Sequence, residues 1–212
     1  MKKTVLIAGG SGVIGSSISD LLEKNGYIVK ILTRQHIDNE KYVHWQPEDN
    51  HIEWDENNNI DLLINLCGSG IAEKRWTKKR KEILESSRID TTNLLFDFVK
   101  SYEIELGAYI GASGITAFPF DTGKVYSEQD EISGGYLQEL VRKWEEAHFQ
   151  FESITRTSVI RVSPVLAYKS GLVVKMRGVI QKGLGSYLGN GKQMSPWIHH
   201  EDLSRMFMHI DK

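Results

Sequence analysis

Three glycines spaced three apart, Gly9, Gly12 and Gly15, close a short aliphatic run from Thr4 to Ala8 and open an amphipathic stretch carrying Val13, Ile14, Ile18, Leu21 and Leu22. In a strand–turn–helix setting such glycines serve an anion. The first makes the tight turn, the second lets a pyrophosphate approach the backbone, and the third allows the helix to pack closely on the strand. The helix start adds unpaired N–H groups and a partial positive charge. Gly9, Ser11, Gly12, Val13, Ile14 and Gly15 are therefore the expected cofactor-binding turn. A site for NAD usually places an acid at the end of the next strand to hold the ribose hydroxyls. Here that place reads Thr33-Arg34-Gln35, and the first acid, Asp38, comes too late. Arg34 instead offers a charged fork to a 2′-phosphate, so the expected cofactor is NADP(H).

The elements that must position these residues follow from periodicity. Strands are expected at Tyr27 to Thr33, at Val43 to Trp45, at Asp61 to Leu66, at Leu106 to Ala112 and at Ile154 to Val162, with a small hairpin arm at His51 to Trp54. Helices are expected after the glycine turn, ending at Asn25-Gly26, then from about Thr77 to Tyr102, from Tyr136 to Gln150 and from Gly171 to Lys182. A short strand and a helix fill Ile198 to Ile210, after a glycine-rich loop at Gly183 to Gly191. Strands alternating with helices predict an α/β fold, a Rossmann-like doubly wound parallel sheet with its ligand at the carboxyl ends of the strands. Residues 1–165 are expected to form the dinucleotide-binding domain, and residues 166–212 an incomplete substrate-side segment packed on it. The 212 residues are 40% hydrophobic and 25% charged, with a net charge of -2, so no global polyanion partner is indicated. A single cysteine, Cys67, excludes an intrachain disulfide and suits a reducing compartment. With no signal segment and no apolar run of membrane-spanning length, a cytoplasmic protein is expected, with neither a membrane nor a nucleic acid as partner.

The motifs together resemble the epimerase family of extended or atypical short-chain dehydrogenases/reductases. The resemblance rests on Gly9-Gly10-Ser11-Gly12-Val13-Ile14-Gly15, Leu32-Thr33-Arg34, Ile64-Asn65-Leu66-Cys67-Gly68 and Ile71-Ala72-Glu73-Lys74-Arg75-Trp76. It continues through Ser87-Arg88 with Thr91-Thr92, Trp144-Glu145, Gly189-Asn190-Gly191-Lys192-Gln193 and Trp197-Ile198-His199. It implies a bound NADP with adenine-side contacts from Thr33 and Arg34 and further contacts near Leu66, Cys67, Gly68 and Arg88. It also implies a substrate side near Arg75, Trp76, Gln193 and Trp197, facing a small molecule of unknown identity such as a nucleotide sugar. Members of this family continue with a final strand and a small covering region, so the sequence resembles a truncated member. Apolar surface exposed by such a loss would seek a partner chain, a homodimer being one form. Arg88 has an argument of its own. At helical spacing it shares a face with Leu84, Thr91 and Leu95, where a buried guanidinium needs an anion or satisfied hydrogen bonds. The cofactor and a carboxylate of the fold are both open for that role.

The wider superfamily transfers protons with a serine after the fifth strand and a Tyr-x-x-x-Lys helix. Ser113 occupies the serine's place and is the one catalytic candidate; its bland alternative is a polar residue capping a strand end. None of the eight tyrosines is followed four residues later by lysine, and Leu137 and Val141 fall near the dyad positions. The acid expected after Asn65-Leu66-Cys67-Gly68 is replaced by Ser69. A non-catalytic NADP(H)-binding sensor or regulator therefore stands beside the oxidoreductase reading. The basic run Lys74 to Lys81 is read as a solvated face. His199 and His200 are adjacent and point different ways, so no metal site is expected.

Overall fold

In the first strand Val5 and Ile7 join one core cluster while Leu6 and Ala8 join the other, and all four are fully buried. Period-two alternation with apolar residues on both faces means that both faces of the sheet are covered by helices. The computed structural model describes residues 2–55, 59–119, 123–168, 171–186, 190–192 and 194–211. In chain order the elements are β1 (Thr4–Ala8), α1 (Val13–Lys24), β2 (Ile28–Thr33), β3 (Tyr42–Gln46), β4 (His51–Ile52), β5 (Leu62–Asn65), α2 (Lys78–Ser86) and α3 (Ile89–Ser101). They continue as β6 (Ala108–Gly114), α4 (Tyr136–Phe149), β7 (Arg156–Val162), β8 (Val165–Ala167), α5 (Gly171–Ile180), β9 (Ile198–His199) and α6 (His200–Ile210).

The main sheet has the order β4-β3-β2-β1-β5-β6-β7 and is parallel except for β4, which runs antiparallel to β3. The chain builds outward from β1 through β2 and β3, then crosses back to β5 and builds the other way. The switch point lies between β1 and β5, where a doubly wound sheet opens its ligand crevice. Registers Ala8↔Leu32 and Ala8↔Asn65 bring the ends of β2 and β5 level with the end of β1. One face is covered by α1 and α6 through Ile18, Leu22, Leu203 and Phe207. The other is covered by α3 and the turn after α4 through Leu94, Leu95, Phe98, Val99 and Phe151. The last helix is tied down at its end: Asp211 accepts from Lys3 Nζ at 3.0 Å and from the Tyr27 hydroxyl at 2.7 Å.

The single helix expected from Thr77 to Tyr102 is two. Apolar spacing runs on through the junction, but the backbone breaks at Ser87 and Arg88. Side-chain hydroxyls compete there for backbone carbonyls: Ser87 Oγ donates to Leu84 O, Thr91 Oγ1 to Ser87 O and Thr92 Oγ1 to Arg88 O. Thr77 is the cap rather than the first helical residue, its Oγ1 accepting from Arg80 N–H at 3.2 Å.

Candidate functional site

Gly9 takes φ +79°, a left-handed conformation open to glycine, and its carbonyl accepts from Gly12 N–H at 3.2 Å to close the turn. α1 then starts at Val13 with no side-chain cap at Gly12 and no acid in its first turn. That leaves an electropositive helix end open to an anion. Gly15 cannot be anything larger, because a Cβ there would lie 2.5 Å from Gly10 Cα and from Gly9 O. Gly12 is different. A Cβ there would meet only Gly9 O at 3.4 Å, so its front is open space. The cradle is shaped for a phosphate to enter at Gly12 and for helix to touch strand at Gly15. Ser11 and Val13 are exposed beside it and Ile14 is half-buried. A groove of about 750 Å³ begins at Ser11, Gly12 and Val13 and runs between α1 and α6.

Arg34, exposed just past the end of β2, and Thr33, whose Oγ1 accepts from Gln35 N–H at 3.2 Å, stand level with this turn. On the other side Leu66 N–H donates to Ala8 O at 2.9 Å and carries the chain into Cys67 and Gly68. Burial pushes the Cys67 thiol up to about 12, with Arg34 acting in the opposite direction. The thiol is protonated and unreactive at neutral pH. Arg88 lies behind this loop, 5% exposed, donating to Ser69 O at 2.9 Å and Leu84 O at 3.0 Å, with its guanidinium 5.0 Å from the Trp144 ring. Burial lowers it to about 10, so it remains charged. Its partners are these carbonyls and the Ser87 hydroxyl, its Nε has none among the described residues, and a Cβ on Gly68 would come within 3.1 Å of the guanidinium. The glycine turn, Thr33, Arg34, Leu66, Cys67 and Gly68 thus stand together at the carboxyl ends of β1, β2 and β5, with Arg88 behind them. A glycine turn at an uncapped helix start, beside the switch point of the sheet, fits a dinucleotide.

Ser113, near the end of β6, is 4% exposed and donates to Glu145 Oε1 at 2.7 Å. Glu145 sits on α4 and is gripped by Arg161 of β7, whose Nε and Nη2 each donate to one carboxylate oxygen at 2.8 Å. Ser113 and Arg161 are paired in register across β6 and β7. Sequence reasoning quoted Trp144-Glu145 but did not join it to Arg161. The available signal was an arginine set among the apolar residues Val159, Ile160 and Val162 at the carboxyl end of the strand. Val141 is buried on α4 and lies 3.9 Å from where a Gly114 Cβ would be, so apolar surface occupies the neighbourhood in which a proton-transferring side chain is expected. Tyr136, at the start of the same helix, turns away: its hydroxyl donates to Lys81 O at 3.2 Å and its ring lies 5.8 Å from Trp76.

Of the substrate-side residues, Trp76 is 42% exposed with its indole N–H on Ile71 O at 2.9 Å, and Arg75 is exposed beside it. Trp197 stands 63% exposed just before β9, and Gln193 lies outside the described residues. The basic run is solvated at Lys74, Arg75, Lys78 and Lys79, but Arg80 is an exception. It is 7% exposed, bound to Gly70 O at 2.5 Å and Ser69 Oγ at 3.2 Å, and so pins the loop after β5.

Beneath the crevice runs a buried polar chain. Asn65 Oδ1 accepts from Cys67 N–H, while its Nδ2 donates to Thr92 Oγ1 and to the Tyr109 hydroxyl. Tyr109 lies 2.6 Å from His148 Nδ1, and His148 Nε2 donates to Ala112 O at 3.0 Å. The imidazole is therefore neutral, with Nδ1 accepting the tyrosine proton, and burial holds it down at about 4. The unfolded chain binds this proton near pH 6.5 and the folded chain does not. Stability is thus complete above that pH and is lost as pH falls toward 4, by about 3 kcal/mol. Denaturant melts at pH 7, 6, 5 and 4.5 are expected to show this decline, and a flat profile would contradict the neutral assignment.

A sequence model of the NAD dependent epimerase/dehydratase family matches residues 5–210. The epimerase family protein ML0860 of Mycobacterium leprae is 33% identical over 208 residues, 98% of this chain and 67% of that protein. The epimerase family protein SSP1921 of Staphylococcus saprophyticus is 34% identical over 215 residues, 98% of this chain and 70% of that one. The chain spans about two thirds of the length of the curated relatives it matches. Among solved structures, the human epimerase family protein SDR39U1 (isoform 2) with NADPH superposes at TM-score 0.86 with 26% identity, over 99% of this chain and 70% of that one. A nucleoside-diphosphate sugar epimerase from Corynebacterium glutamicum superposes at TM-score 0.82 and 23% identity, over 98% of this chain and 43% of that one, a likeness of fold.

Proposed function

This chain belongs to the NAD dependent epimerase/dehydratase family, and we propose that it binds NADP(H) in preference to NAD(H) and works as an oxidoreductase-like protein on a small molecule. The observation that carries the reading is the open front of Gly12 at an uncapped helix start, with Arg34 exposed at the neighbouring strand end. The NADPH in the human relative's structure supports the same choice. Gly9, Gly12 and the first N–H groups of α1 would hold the pyrophosphate, Arg34 the 2′-phosphate, and Arg88 the loop Leu66 to Gly68 that borders the crevice. When bound, the cofactor supplies hydride exchange. Ser113 is the hydroxyl at the carboxyl end of β6, and Glu145, itself gripped by Arg161, fixes where that hydroxyl points. Nucleotide sugars are the first substrate class to test, epimerisation being the reaction for which the family is named. The protein is read as cytoplasmic; among the described residues no helix is long and apolar enough to cross a membrane.

A second reading is favoured by Val141 beside Gly114 and by the commitment of Ser113 to Glu145: a non-catalytic NADP(H) sensor that keeps the crevice without proton-transfer machinery. Incubation with NADP(H) and a panel of nucleotide sugars and simple carbonyls, followed by cofactor absorbance and product analysis, separates the two. Turnover abolished by Ser113→Ala establishes the enzyme; binding without turnover across the panel establishes the sensor. For the cofactor, Arg34→Ala is expected to weaken NADPH binding by about ten-fold, the low end for a charge-assisted pair because the side chain is exposed, and to leave NADH binding unchanged. An equal loss for both cofactors would contradict the phosphate role.

A further inference from the structure

Just past Arg34, beside the carboxyl end of β2, two histidines and a glutamate meet where no sequence spacing announces them. We propose that His36, His44 and Glu53 form a binding site for a divalent transition-metal ion of the zinc class. One donor atom from each lies within 4.8 Å of the other two. The fold makes this meeting. β3 runs parallel to β2 with Thr33 opposite His44, so the chain leaving β2 carries His36 over the His44 ring. The two imidazoles stack with centroids 3.6 Å apart. The β3–β4 hairpin then brings Glu53 alongside, its N–H donating to His44 O at 2.9 Å and its Oε1 lying 2.9 Å from His44 Nδ1.

His44 is 7% exposed, so its ring is fixed by packing, while His36 and Glu53 are exposed and accessible to an ion from solvent. Two imidazole nitrogens and one carboxylate oxygen are a donor set for zinc and its neighbours rather than for magnesium or calcium, which take oxygen ligands. Three protein ligands leave a coordination position for water. The ion takes the place of the hydrogen bond between His44 Nδ1 and Glu53, and the exposed His36 ring turns out of the stack to present its nitrogen. One term opposes binding. With Nδ1 on the metal, the proton moves to Nε2, which is buried without a partner among the described residues. That cost places the expected affinity in the micromolar range rather than the far tighter range of closed structural zinc sites, on the order of 1 μM.

The test titrates the purified chain with Zn²⁺ against a chromophoric chelator, and with Co²⁺ as a visible-absorbing probe. One saturable equivalent is expected. His36→Ala and Glu53→Gln, both at exposed positions, are each expected to weaken it by about ten-fold or more while the unfolding midpoint stays in place. No saturable binding up to about 100 μM, or binding that neither substitution changes, overturns the proposal. NADPH titration of the same variants reports on the crevice separately, so failure of one site is not mistaken for failure of the other.

Discussion

Gly12→Ala is expected to lose NADPH binding by about ten- to a hundred-fold while melting within a few degrees of the parent, whereas Gly15→Ala is expected to lose the fold's stability first. The two glycines lie three residues apart in one turn, and their surroundings separate their roles. At Gly12 the backbone has φ −76°, which any residue accepts, and an added methyl meets only Gly9 O at 3.4 Å. The methyl therefore costs the fold little and occupies the space through which a phosphate reaches the helix N-terminus. At Gly15 the methyl collides with Gly10 Cα and Gly9 O at 2.5 Å, both backbone atoms that cannot step aside. Prising α1 from the β1 turn costs about 1–3 kcal/mol or more, as overpacking does elsewhere. Thermal melts and calorimetric titrations on both variants check the contrast. A Gly12→Ala protein that binds NADPH normally would remove the phosphate from this turn.

The second large effect is expected at Glu145. Its carboxylate holds Ser113 Oγ and both facing nitrogens of Arg161, and Glu145 itself is 5% exposed. Glu145→Ala leaves the Arg161 guanidinium between β7 and α4 without its anion, and breaking such a pair costs about 3–5 kcal/mol when fully buried. The Arg161 side chain keeps one fifth of its exposure, so the low end, about 3 kcal/mol, is expected. Pairing Glu145→Leu with Arg161→Met should recover most of the loss, because the penalty belongs to the unpaired charge and not to the missing bridge. Denaturant unfolding of the single and double variants measures this. A single variant within 1 kcal/mol of the parent, by the usual scale for exposed pairs, would contradict a structural carboxylate at this site.

What could be read in the residues was local. The turn from Gly9 to Gly15 carries its own strand and helix, and the main strands were legible to within one or two residues, because alternation and apolar runs are recorded along the chain. What could not be read was made by tertiary contact. Arg88 was placed on the packed side of a helix, correctly as to burial, but the break beneath it comes from hydroxyls that bond to carbonyls, which hydrophobic spacing does not register. Arg80 looked like one more cation in a basic run, yet it alone turns inward to the loop after β5. Glu145 and Arg161 sit sixteen residues apart on a helix and a strand, and only the packing of α4 on β7 shows that they are one unit. His36, His44 and Glu53 come from a loop, a strand and a hairpin end, so nothing in their spacing resembles a ligand motif.

The most direct test of NADP(H) binding at the glycine turn is a pair of calorimetric titrations on the unaltered chain, one with NADPH and one with NADH. Tighter binding of NADPH by about ten-fold or more, at one equivalent, is the expected result. Equal affinity, or tighter binding of NADH, would contradict the role given to Arg34.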